Sequence, residues 1–386
     1  MMKVRALVAT TVFVLAFAAA GRAQIAVSSN DNKTVNLNGV NTVVRNPQPD
    51  TATIIDIGVS PPKVIAEIPT PGNWQAPPQS VAISPDESIA LVTNSSKIDP
   101  ADPTKTTPDD TMSVIDLKAT PPKVIATLHA GRGATGVSIN RSGTLALVAN
   151  RGDGTVSVFT ISGKIVTPAG AVDLGDPNCG PGLPVFTPDG KRAFVTRNND
   201  HKVSMLSVTG NKVEYTKRDV SANLRPYGIE ISPKGDAAYV ANIGNGPTGS
   251  VDTISVLDLT FDTPRMVDSV AVGIVPEGIA LSPDGGFLAV NVMNGSNVPK
   301  TAPWYHDFGI LKIMRVKGTT VTPLVETKVP GHWCEGAAWS RNQKTILVQC
   351  MVEQAIFVYG FDGKTLTPAG SIKVNGGPAG LRTADR

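Results

Sequence analysis

The sequence predicts an all-β fold, a seven-bladed β-propeller of four-stranded antiparallel blades whose ring is closed by a C-terminal strand completing the N-terminal blade. Three observations predict it. One hairpin recurs along the 386 residues, no helical period competes with the alternating apolar pattern, and the last residues of the chain copy the first half of that same hairpin.

The clearest copy runs over residues 225–242, Arg-Pro-Tyr-Gly-Ile-Glu-Ile-Ser-Pro-Lys-Gly-Asp-Ala-Ala-Tyr-Val-Ala-Asn. Ile229 and Ile231 flank Glu230 with a period of two, Ser232-Pro233-Lys234-Gly235 has the residue order of a type I turn closed by glycine, and 237–241 run back. The turn recurs at Ser84, Asn140, Thr187, Ser232, Ser282 and Ser340, at spacings of 45 to 58 residues. After each turn comes a strand such as 90–94, 146–150, 193–197 or 346–350, then a loop of variable length. A β-branched third strand follows (111–117, 155–159, 253–259), and then a fourth (123–128, 266–272). Residues 61–66 and 121–126 are nearly the same text. Four-stranded units this thin cannot bury both faces alone, so they stack radially as blades.

The two ends settle the count. Residues 378–384 match the first strand of a blade, 276–282, whereas 25–30 match a second strand, with 52–57 and 63–68 as the third and fourth. One composite blade and six continuous ones make seven, and joining the ends leaves no sheet edge at the seam. The expected organisation is therefore a propeller over 24–386, preceded by a separate segment at 1–23.

That segment has Lys3 and Arg5 before an apolar run over 6–20 and a small-residue cleavage site at Gly21-Arg22-Ala23. It reads as a secretory signal peptide, too short for the roughly 20 residues that span a bilayer. The expected address is exported, periplasmic or extracellular. Lys3, Arg5 and Arg22 carry the whole formal charge of +3, and removing them from the 35 basic residues balances the 32 acids. The basic excess leaves with the segment, so the pI of 8.7 says nothing about nucleic acid or anionic membranes; no nucleic-acid partner, no integral membrane segment and a monomer are expected. Three cysteines do not make a disulfide scaffold. Cys334 and Cys350 fall opposite each other if a turn at 341–344 joins their strands, which allows a cross-strand bridge and leaves Cys179 free; the other reading is three separate thiols.

Leu91-Val92-Thr93-Asn94, Phe194-Val195-Thr196-Arg197 and Tyr239-Val240-Ala241-Asn242 resemble the motif of the Tyr-Val-Thr-Asn (YVTN) repeat β-propeller family, exported proteins related in fold to the lactonase-like propellers. The resemblance covers nearly the whole mature chain. It implies the fold, and it carries a lactonase-like activity only as an expectation, because one fold hosts many functions.

Ser-Pro-x-Gly turns mark one face of the ring, the bottom. The opposite face, the top, takes the insertions 95–110, 243–252 and 293–308, all four histidines (His129, His201, His306, His332), and Trp74, Trp304 and Trp333. The position five residues before each turn rings the channel mouth as Ala379, Gln79, Thr135, Gly182, Tyr227, Glu277 and Glu335. Glu277 and Glu335 are neighbours there, close to His332, Trp333, Trp304, Tyr305, His306 and Asp307, with Arg132 and Arg225 elsewhere on the rim.

Three readings follow. In one, the glutamates are solvated loop residues and the histidines cap loop backbone. The leading functional expectation is an exported binding or scaffold protein that captures a small molecule or a protein partner through Trp304, Tyr305, Trp333, Tyr227, Arg132 and Arg225. The alternative is a lactonase-like hydrolase with Glu277, Glu335, His306 and His332 as catalytic groups. No cofactor is indicated: there is no His-Glu-x-x-His, paired Cys-x-x-Cys, Gly-x-Ser-x-Gly, haem or dinucleotide motif. Asp99, Asp102, Asp109 and Asp110 leave room for a divalent metal, calcium or another, without the spacing of an EF-hand.

Overall fold

The computed structural model describes residues 24–246 and 248–385, so the expected signal peptide at 1–23 lies outside the described residues. The described chain forms a seven-bladed β-propeller: seven four-stranded antiparallel sheets, with two small hairpins added. The first blade is composite, its innermost strand Gly377–Thr383 pairing with Ile25–Asp31, followed outward by Thr51–Asp56 and Lys63–Pro69. The register sets Ser28 against Leu381 and Val27 against Arg382. Closure thus occurs where the sequence places it.

Burial grades outward along each blade. Innermost strands such as Ala134–Ile139 and Cys334–Trp339 are buried throughout, whereas the outermost strand Arg265–Gly273 is exposed over most of its length. The apolar core is correspondingly divided. Seven clusters lie one at each interface between neighbouring blades. At the seam, Ala26, Ile55 and Leu381 of the composite blade pack on Leu347 and Ile356 of the last one. Blades therefore have no private core, and each is stabilised by its two neighbours.

The bottom turns are as their residues dictate. In the hairpin at 225–242, Ser232 Oγ accepts the backbone N–H groups of Asp236 and Ala237, and Gly235 takes a φ of 73°, which glycine meets without a Cβ clash. Two hairpins were not foreseen: Thr34–Leu37 with Val40–Val43, and Ser96–Ile98 with Thr106–Pro108. Both stand on the top face. Among the described residues no helix is long and apolar enough to cross a membrane.

Cys334 and Cys350 face each other in register and form a disulfide. Cys179 is free and buried, and burial pushes its thiol up to about 11. Two outcomes are expected. Deleting residues 377–386 exposes the seam cluster and replaces one sharp calorimetric unfolding transition by a broad, low-enthalpy one. The double variant Cys334→Ser, Cys350→Ser, which opens a loop of sequence separation 16, loses about 3 kcal/mol in urea unfolding.

Candidate active site at the channel mouth

In six of the seven blades the innermost strand is entered through a residue in the left-handed backbone region, the second blade being the exception. In the first, third and fourth blades that residue is glycine: Gly376, Gly133 and Gly180. In the fifth, sixth and seventh it is Arg225 (φ 57°), Val275 (φ 54°) and Trp333 (φ 50°). A non-glycine residue there costs on the order of 1–3 kcal/mol. The chain bears that cost only on one side of the ring, where Tyr227, Glu277 and Glu335 follow two residues after each strained position.

These three side chains are buried strand residues, at 6 %, 8 % and 1 % exposure. That overturns the reading of Glu277 and Glu335 as solvated loop acids. One carboxylate oxygen of each, Oε2, is buried without a hydrogen-bond partner among the described residues. Burial pushes the Glu277 carboxyl up to about 8, although a hydrogen bond from Tyr227 and the charges of Arg225 and Arg151 pull it back. Burial raises Glu335 well above the ordinary carboxylate range, and the neighbouring Glu277 charge raises it further. Two neighbouring buried acids are thus both held above the ordinary carboxylate range, a setting suited to moving a proton near neutral pH.

Arg151 was not singled out by the sequence. It follows the strand Leu145–Asn150 of the third blade, and its Nη2 donates to Asn198 Oδ1 at 2.8 Å. Arg225 Nε donates to the same oxygen at 3.3 Å. One amide therefore holds two guanidinium groups together, and neither has a salt bridge among the described residues. Burial, with Arg225 adding to it, lowers the Arg151 pKa against the pull of Tyr227 and Glu277. Two guanidinium groups thus stand side by side at the rim on a neutral amide, a pairing with the chemistry to meet an anion. Arg151 also lines a top-face cavity of about 160 Å³, walled by Ser96, Thr106 and Thr107 of the second blade's extra hairpin. Glu277 and Glu335 lie outside that wall, and Arg151 joins the cavity to the acids through the field it exerts on Glu277.

Of the other expected residues, the structure brings some together elsewhere. His332 Nδ1 pairs with Glu353 Oε1 at 2.8 Å and its Nε2 lies 3.3 Å from the Tyr305 hydroxyl, so it serves the blade-six loop rather than the glutamates. His306 is exposed, its Nδ1 on the Asn294 carbonyl. Trp333 is 5 % exposed, edge-on to Trp74 at 6.3 Å, inside an apolar cluster with Tyr227 and Met351. It packs the mouth and presents no free face. Trp304 is half-buried, its ring against Gly249. Arg132 pairs with Asp153, 3.3 Å away. The aspartates of the 95–110 insertion are engaged locally: Asp102 by Thr104 and Lys105, Asp109 by Lys97, Asn94 and Thr111, Asp110 by His129. Among the described residues no group of three or more His, Cys, Asp or Glu side chains is placed to hold a metal.

Two further elements close the mouth. Residues 72–80 dip into the axis: Gln79 Nε2 crosses from the second blade to the Ile279 carbonyl of the sixth, 3.2 Å away, with Pro77 and Pro78 buried beside it. A buried ion triad anchors this plug, since Lys33 pairs with Asp31 at 2.6 Å and with Asp50, and donates to the Gly72 carbonyl at 2.9 Å. The hairpin Thr34–Leu37 with Val40–Val43 leans over the seventh blade to the sixth, where a Cβ on Gly39 would fall 2.0 Å from Val298 and Pro299 backbone.

With this geometry in place, the comparisons with known proteins fall into order. A family model described as lactonase, 7-bladed beta-propeller, matches residues 137–300, a segment that contains Arg151, Arg225, Tyr227 and Glu277 but not Glu335 or His332. Among solved structures, a candidate 6-phosphogluconolactonase from Bacteroides fragilis superimposes with a TM-score of 0.69 at 16 % identity over 95 % of this chain and 99 % of that one. A periplasmic gluconolactonase from Pseudomonas aeruginosa gives 0.66 at 16 % over 93 % and 99 %. Hydrazine synthase from Kuenenia stuttgartiensis gives 0.62 at 17 % over 81 % and 91 %. At these identities the likeness is one of fold. No curated protein matches the sequence significantly.

The raised Glu277 pKa has a measurable consequence. A carboxyl raised from about 4.5 to about 8 on folding contributes stability that is complete below the lower value and lost as the pH rises through the upper one. Glu277→Gln removes that titration. The melting temperature of the variant relative to the parent is expected to rise steadily from pH 5 to pH 8.5, and parallel curves would contradict the assignment.

Proposed function

We propose that the chain is a hydrolase of small lactones carrying a carboxylate or phosphate, acting at the top mouth of the channel. The observation that carries this reading is the convergence of Arg151, Arg225, Tyr227 and Glu277 from three blades, all within the stretch that the lactonase family model matches. Two propellers of similar fold are described as gluconolactonases, one of them periplasmic, which agrees with the export expected from residues 1–23. A binding or scaffold role has less support, since Trp333, one of its intended anchors, is packed in an apolar cluster and the matching family model is that of a lactonase.

The chemistry follows from the groups present. The paired guanidinium groups hold the anionic substituent and orient the ring, and the Tyr227 hydroxyl can donate to the carbonyl oxygen as negative charge develops there. Glu277, about half ionised near pH 8, takes a proton from the attacking water. The acyl carbon gains the water oxygen, its bond to the ring oxygen breaks, and the proton passes to that oxygen, leaving the open hydroxy acid. Protonated Glu335 beside it keeps Glu277 from sharing its pocket with a second negative charge.

On a panel of neutral, carboxylated and phosphorylated sugar lactones followed by pH-stat, the purified protein is expected to prefer the anionic members. Glu277→Gln should lower kcat by about 10²-fold or more. Arg225→Gly relieves the left-handed strain, so it should keep or raise the melting temperature while raising KM for anionic lactones only. No hydrolysis anywhere on the panel, or full activity in Glu277→Gln, would defeat the proposal.

A further inference from the structure

The bottom mouth of the channel holds a larger cavity, of about 190 Å³. Its wall is mainly apolar, with Val185, Phe186, Ile231, Leu281 and Trp339 contributed by four blades. At its floor sits Arg382, on the strand that closes the ring, its side chain 11 % exposed. One side of the guanidinium is taken by Glu230, itself nearly buried, in a direct ion pair. The other side, Nη2, meets both carboxylate oxygens of Asp385, at 2.9 and 3.0 Å. Asp385 is 55 % exposed and has no other partner among the described residues. Its carboxylate is carried on the segment that follows the closing strand.

We infer that this mouth is a second binding site, for a small apolar monocarboxylic acid whose carboxylate displaces that of Asp385 on Arg382. A guanidinium already offering a seat to a two-oxygen anion fits an incoming carboxylate in the same way. Two further groups favour an anion there. The Ser138 hydroxyl lines the cavity, is 6 % exposed and has no hydrogen-bond partner among the described residues, leaving a donor to spare. Arg141 is exposed on the rim with no salt bridge among the described residues. The size suits a single ring: an apolar cavity of about 150 Å³ takes benzene. Residues 76–79, buried across the axis, separate this chamber from Glu277 and Glu335, so the site is distinct from the one proposed for hydrolysis and does not depend on it.

Calorimetric titration with benzoate, and with benzamide as its neutral counterpart, tests the inference without reference to lactone turnover. Benzoate should bind at least about tenfold tighter than benzamide, the worth of a charge-assisted contact. Asp385→Asn, an exposed change near the chain end, should tighten benzoate binding several-fold by removing the internal competitor. The paired variant Arg382→Gln, Glu230→Gln, which leaves no unpaired buried charge, should lose the preference for benzoate. Equal affinity for the two probes, no benzoate binding in either parent or Asp385→Asn, or no tightening in Asp385→Asn would each overturn it.

Discussion

The constraint on which the whole ring depends is the approach of backbone to backbone around the axis. A Cβ on Gly278 of the sixth blade would lie 1.7 Å from the Glu335 carbonyl of the seventh, and one on Gly136 of the third would lie 2.5 Å from the Gly182 carbonyl of the fourth. Only glycine lets innermost strands come so near. The same contact is then fastened by hydrogen bonds from the second strand. Thr93 donates to the Thr135 carbonyl, Thr196 to that of Tyr227 at 2.8 Å, and Asn291 to that of Gly336 at 2.6 Å, each reaching into the next blade. The threonine of the repeated Leu-Val-Thr-Asn text is thus an inter-blade bond. Its asparagine ties strands within a blade, as Asn150 does to Thr155 and Ser157.

This closeness also makes the chemistry. Side chains directly before those glycines are buried, so an acid placed there is desolvated and its pKa rises. Glu277 and Glu335 have raised pKa values because they occupy the axial position on adjacent blades, and the other five blades carry Ala379, Gln79, Thr135, Gly182 and Tyr227 at that level. The left-handed entry residues sharpen the asymmetry. Where nothing is required of the side chain, glycine stands; where Arg225, Val275 and Trp333 stand, the chain accepts backbone strain to furnish the mouth.

How much of this was legible in sequence follows from the kind of signal each feature leaves. The blades, their count and the closure were readable because turn residues and two-residue alternation repeat, and a repeat can be aligned with itself. The axial position of Glu277, Glu335 and Tyr227 was readable from the same alignment. Their burial was not, since strand period assigns a face but not the water content of a seven-fold axis. Arg151 was missed because it sits where a loop begins, and a single arginine in a loop leaves no pattern; its partner Asn198 lies 47 residues away. His332 and His306 were drawn toward the glutamates by proximity in sequence; His332 is claimed instead by Glu353 on a later segment, and His306 by the backbone carbonyl of Asn294 in its own insertion, a contact that leaves no pattern in side-chain types. The plug at 72–80 is an irregular Pro-rich stretch with no period, so only the folded ring shows that it crosses the axis.

The plug changes what a propeller channel means here. Gln79 is bonded across to Ile279, and the segment is anchored through Gly72 to the Lys33, Asp31 and Asp50 triad, so buried side chains cross the axis between the two faces. Asp31 adds to the forces raising Glu335 and is itself pushed up to about 6 by burial, with Lys33 opposing. The triad that fixes the plug therefore also shapes the field felt by the acid beneath it. Under the proposed hydrolysis, substrate and product would share one mouth, past Arg151 and Arg225. Hydrolysis of an anionic lactone adds one negative charge, so under that proposal the two cations would release the product less readily than they collect its precursor. Each arginine would then be a compromise between capture and release, and the Asn198 oxygen they share, neutral rather than carboxylate, ties neither to a fixed counter-charge.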